Sequence, residues 1–136
     1  MAMIAYARTV VLSLAFALAA LSAAADDLQN FAAAVERVAA QYNFALRAVD
    51  TSGREQSAAE VRLLRQEWQG LIDRLEHKRP SEFDGDDFYA ITMTEVDALL
   101  VGALIVIDIG SRDAARAALA PIGETLAKLR ERTDRR

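Results

Sequence analysis

Along the chain the apolar residues recur at steps of three and four, and no segment keeps the strict alternation of a half-buried strand. Helices are therefore expected throughout. The first apolar line reads Leu28, Phe31, Val35, Val38, Tyr42, Ala45 and Val49, opened by Asp26 with Gln29 three residues on. It should end near Asp50, where "DTSG" places Gly53 among turn formers. The second line is predicted to open on Ser57 as N-cap with Glu60 in the reciprocal position, and to bury Val61, Leu64, Trp68, Leu71 and Leu75. Pro80 stops it just beyond His77 and Lys78, whose positive character suits a helix C-terminus.

After the loop "PSEFDG", Asp86 and Asp87 start a third helix with charges that favour its N-terminal dipole. Its line is Tyr89, Met93, Val96, Leu100, Ala103 and Ile107. Gly110 and Ser111 read as a C′ glycine followed at once by an N-cap serine. The fourth line is Ala115, Ala118, Ile122, Leu126 and Leu129, with Lys128, Arg130 and Arg132 near its end. Pro121 sits inside it, and its missing N–H predicts a kink. Four helices with two short links and one longer loop predict an all-α fold, an antiparallel up-down-up-down four-helix bundle.

The first 25 residues follow a different logic. Arg8 precedes an uncharged apolar run from Thr9 to Leu21, and Ser22-Ala23-Ala24-Ala25 stands before two aspartates. That is the order of an export signal with an A-x-A cleavage site. The apolar core is shorter than the ~20 residues a membrane span requires. The expectation is a signal peptide over 1–25, a bundle domain over 26–136, and a periplasmic protein with no stable membrane span once the leader is gone.

Removing Arg8 with the leader takes the 16 basic groups to 15 against 20 acidic, a net charge of −5. Nothing in that balance attracts nucleic acid. With no cysteine, burial rather than disulfides must stabilise a single modest core.

Residues 98–110, "ALLVGALIVIDIG", are apolar on two sides. The line through Val96, Leu100, Ala103 and Ile107 uses one side, while Val101, Ile105 and Ile109 project roughly opposite. Thirteen residues with Asp97 before and Asp108 inside are too few and too charged to span a bilayer. Either the loop at 79–86 or a tilted neighbour covers the outer face, or that face meets a second copy or a protein partner, since contiguous apolar patches seldom stay exposed. The reading preferred is an interface, a homodimer or a protein partner docking through the third helix.

"ADDLQNF", "QSAAEVRLLRQEW", the "RP" with the acidic loop after it, "FYAITMTEVDALLVGALIVIDIG" and "RDAARAALAPIGETLAKLRE" follow in order the pattern of the soluble periplasmic b-type cytochromes. The chain resembles that family over nearly all of residues 26–136, mostly at seam and cap positions. The resemblance implies a four-helix bundle, export, and a haem held non-covalently by a methionine and a histidine of the first and last helices. Those ligands fall at about Phe31 or Ala32 and at about Arg130, none of which ligates iron. There is no C-x-x-C-H. The expectation is a relative that keeps the scaffold and holds no cofactor.

Other chemistry is sparse. One histidine and no cysteine leave nucleophilic catalysis without partners, and the Glu-x-x-His repeats of di-iron bundles do not occur. His77 reads as a dipole partner or a surface metal ligand, Met93 as core or a soft copper ligand, and Trp68 as core or a stacking wall. Residues 81–97 hold six carboxylates and no cation. This is a solvated loop and helix start, or a weak divalent-cation site at Asp84, Asp86 and Asp87. No self-similarity near ~34 residues supports a tetratricopeptide array. The reading that results is a non-enzymatic periplasmic bundle acting through protein contacts, the alternative being a small-ligand, haem or metal-binding protein of the cytochrome b type.

Overall fold

The computed structural model describes residues 2–135, with side chains from Ala25 onward. Four α-helices follow one another: α1 Ala2–Thr51, α2 Arg54–His77, α3 Asp87–Ile109 and α4 Arg112–Asp134. A 3-10 turn, Ser81–Phe83, lies between α2 and α3, and no strand occurs among the described residues. The fold class is all-α, as the periodicity predicts.

Two helix starts differ from expectation. Asp26 does not open α1, which runs on from Ala2, because no glycine or proline interrupts residues 2–51 and alanine, the best helix former, is frequent there. The leader assignment falls on residues whose side chains, Ala25 apart, lie outside the described ones. Nor does Ser57 cap α2. The N-cap is Gly53, four residues earlier, and the helix begins at Arg54. Ser57 is buried inside the first turn, where its hydroxyl donates to the carbonyls of Ala48 at 3.1 Å and Gly53 at 2.9 Å. Glu60 is drawn away from the cap by α1, since Gln41 Nε2 donates to its carboxylate at 2.8 Å and to its carbonyl at 3.0 Å.

The caps at the starts of α3 and α4 fall where the sequence places them, and Gly110, read as a C′ glycine, is the C-cap of α3. Asp86 caps α3, its carboxylate accepting from the Phe88 N–H at 3.0 Å. Ser111 caps α4 by accepting from the Ala114 N–H at 3.1 Å. Gly110 is required for space rather than handedness. Its φ is −102°, and a Cβ there would stand 2.7 Å from the Val106 carbonyl oxygen. α4 continues through Pro121.

The buried lines are those expected in α2 and α3, and nearly so in α1 and α4. Leu119, fully buried, takes the place anticipated for Ala118, which is half-buried. Leu28 and Tyr42 pack on the rim of the core rather than inside it. Trp68 is fully buried and satisfies its indole by donating to the Met93 carbonyl at 3.1 Å. Removing each such large apolar side chain from water stabilises the fold by ~1.5–3 kcal/mol. α1 packs on α2, α2 on α3, α3 on α4, and α4 closes back on α1. One end is stitched by Arg54, donating to the carbonyls of Asp108 and Gly110, and by Arg112, donating to that of Ser52. At the other end Phe83 of the 3-10 turn plugs the core, edge-on to Phe31 at 5.0 Å and stacked on Tyr89 at 4.0 Å.

Candidate functional site

Among the described residues, the outer face of α3 gathers exposed large apolar side chains on one side of one helix. The inward line from Tyr89 to Ile107 is buried, yet Ile91, Val101, Ile105 and Ile109 are 64%, 38%, 57% and 75% exposed. The loop after α2 does not cover them, because Phe83 turns into the core. Cover within the chain, one of the two explanations for this face, is therefore corrected by the exposure. Ile91, which the sequence reading passed over, belongs to the same stripe: Ile91, Ala98 and Ile105 lie seven apart, with Ile109 one turn on. The exposed face of α1 carries Glu36, Arg37, Asn43 and Arg47, and that of α2 carries Arg62, Gln66 and Gln69. Exposed Phe44 is partly shielded by the Arg47 guanidinium, 4.6 Å from its ring.

The length argument against a membrane span needs correction too. α3 extends over 23 residues and is long and apolar enough to cross a bilayer by length and composition. What ties it to the bundle is packing: its inner line is buried, and the Arg65 guanidinium grips Asp97 at 3.0 and 3.3 Å.

The acidic segment does not stand alone, because α4 and α2 deliver cations to it. Asp86 gives one oxygen to the Phe88 N–H and the other to Arg132, at 2.6 Å. The Arg132 guanidinium lies 4.0 Å over the Phe88 ring and 5.8 Å from that of Tyr89. Its hydrogen bond to Asp86, with smaller help from Tyr89, raises its pKa above the ordinary value. Asp84 and Asp87 are exposed beside it. Of the three carboxylates read as a weak cation site, one is thus already committed to protein donors.

His77 ends α2 with its Nδ1 3.0 Å from the Asp73 carbonyl and 3.5 Å from the Asp73 carboxylate. Asp73, Glu76 and His77 place one ligand atom each within 4.8 Å of one another, all exposed. His77 is not alone, because the i, i+3, i+4 spacing on one helix carries the trio. A shallow groove lined by Arg37, Glu67, Asp73, Arg74 and His77 runs beside it.

Where the cytochrome pattern puts its axial ligands, the structure puts packing and charge. Phe31 is fully buried among Phe83 and Tyr89. Arg130 holds Glu36 of α1 through two bonds of 2.8 and 3.1 Å. Met93 is buried in α3, with its carbonyl taken by Trp68. The chain matches no family model, no curated protein and no solved structure.

Proposed function

We propose that the protein is an exported, non-enzymatic helical bundle that acts through protein contacts, with α3 as the contact face. The observation that carries this reading is the exposure of Ile91, Val101, Ile105 and Ile109 on one side of a helix whose other side is core. The topology belongs to the proposal as antiparallel up-down-up-down. Supporting it, the partners Arg54–Asp108, Arg65–Asp97 and Trp68–Met93 step in opposite directions along α2 and α3. Asp50–Arg116, Tyr42–Leu119 and Glu36–Arg130 do the same along α1 and α4. Export to the bacterial periplasm rests on Arg8, the Thr9–Leu21 run and the Ala23–Ala25 site, so the processed chain begins at or beside Asp26, which mass spectrometry reads directly. Kinship with the periplasmic b-type cytochromes stays within this reading, as a scaffold without its haem ligands.

Ile105→Glu tests the contact face. Ile105 is 57% exposed, so the carboxylate stays solvated and the fold should be little affected. The expected result by light scattering and a thermal melt is a folded helical monomer, where the wild type forms a complex. An unchanged complex would sink the reading.

A second reading, surface metal binding, is favoured by one observation, the convergence of Asp73, Glu76 and His77 at the C-terminal turn of α2, where the helix dipole favours cations. Metal analysis of the native protein, repeated on His77→Ala, separates it from the first.

A further inference from the structure

We infer that the occupant of the α3 face is a second copy of this chain, packed antiparallel about a two-fold axis beside Ile105; this rests on the contact-face reading above. A homodimeric surface must be complementary to itself, and the charges beside the stripe meet that condition in one orientation only.

Asp97, Val101, Leu104 and Asp108 follow one another at steps of four, three and four along the edge of α3 that faces α2. Asp97 is taken by Arg65. Among the described residues, the Asp108 carboxylate has no ion-pair partner, although its backbone carbonyl accepts from Arg54. On α2, Arg62 is likewise unpaired and exposed, and lines a shallow groove with Arg65, Gln66, Gln69 and Leu104. That edge of the apolar stripe therefore carries Asp108 and Arg62, neither of which has an ion-pair partner among the described residues.

Their spacing sets the register. Arg65 lies level with Asp97, so Arg62, almost one turn away toward the Gly53 end, lies level with about Leu100 or Val101. Asp108 is seven or eight residues further along α3, roughly 10–12 Å at the helical rise. A two-fold axis perpendicular to α3 and midway between these levels brings Asp108 of each copy over Arg62 of the other. That midpoint falls beside Ile105. Val101 then packs against the partner's Ile109, and Ile91 lies beyond the crossing. A parallel arrangement keeps Asp108 and Arg62 at different levels and leaves both unmatched. The flank of α2 is needed for area as well, since one helix stripe falls short of the ~800 Å² per partner of a standard interface.

The absence of cysteine makes the test clean. In the purified protein, Ile105→Cys should be joined into a dimer by a short bismaleimide, while Ile91→Cys should not. Arg62→Glu should weaken the dimer by roughly tenfold or more, and adding Asp108→Arg should restore it. Equal cross-linking at both positions, no cross-linking at Ile105→Cys, or no rescue in the double variant overturns the antiparallel dimer. A photo-cross-linking residue at position 105 in producing cells keeps the two readings apart. An adduct of twice the subunit mass supports the dimer. An adduct with a different protein overturns the dimer and leaves the contact face standing, and no adduct overturns both.

Discussion

The hydroxyl of Tyr42 on α1 lies against Gly123 of α4, so closely that a Cβ at position 123 would stand 2.7 Å from the ring carbon Cζ. The same hydroxyl donates to the Leu119 carbonyl at 3.0 Å. Pro121, between these two contacts, offers no N–H to its own helix. Tyr42 thus pins α4 where proline and glycine weaken it, and Gly123 is kept small so that the ring can approach.

Gly123→Ala follows as a prediction. In an exposed helix the change would gain ~1 kcal/mol of propensity. Here the methyl evicts the ring, and overpacking of this kind costs ~1–3 kcal/mol. The variant should therefore melt below the wild type, whereas the same change in a Tyr42→Ala background should raise the melting temperature. A sign that does not invert means that the two residues are not coupled.

Tyr42 also predicts an alkaline limit. Desolvation by burial, foremost, raises its phenol above the ordinary value of 10.0, assisted by Glu124 and opposed by the Gly123 backbone hydrogen bond. The folded state favours the neutral form, so this contribution to stability is fully present below pH 10 and is lost as pH rises through the folded value. Tyr42→Phe should show a smaller loss of stability than the wild type as pH rises above 10 in denaturant titrations.

Much of this architecture is legible in the sequence because burial acts on helices through a simple period. Leu64, Trp68 and Leu71, or Val96, Leu100 and Ala103, are apolar at the spacing that faces one side, and they are the core. Misreadings arise where several local signals compete. Ser57 has the chemistry of an N-cap, yet its hydroxyl is captured by Ala48 across the turn. Phe83 sits in an acidic loop whose charges hide its role, and only closure of the bundle end turns it inward. The candidate face is half legible: Val101, Ile105 and Ile109 stand out by period, but their exposure depends on where the loop goes. Charge partners such as Arg132 for Asp86 join residues distant in sequence that only the tertiary fold brings together.

Haem binding supplies the next test. With Phe31 packed in an aromatic cluster and Arg130 engaged with Glu36, no pair of axial ligands spans α1 and α4 among the described residues. Titration with haem should give no sharp six-coordinate Soret band. A band that vanishes in His77→Ala or Met93→Ala would place the ligands elsewhere.

Asp86 concentrates three tasks at the start of α3: it caps the helix, holds Arg132, and belongs to the acidic trio with Asp84 and Asp87. Substitution separates them. Asp86→Asn keeps an oxygen for the Phe88 N–H but replaces the oxygen that accepts from Arg132 with an amide NH2, so the ion pair is lost and the cap is kept, whereas Asp86→Ala removes the cap as well, a step that costs ~1 kcal/mol more. The expected order of melting temperatures is wild type, Asn, then Ala. Calcium distinguishes the remaining task. A trio free to bind a cation would raise the melting temperature of the wild type on addition of millimolar calcium. With one carboxylate already committed to Arg132 and Phe88, no shift is expected. A calcium-dependent rise that is lost in Asp84→Asn would show that the ion displaces Arg132 and that these three carboxylates form a metal site after all.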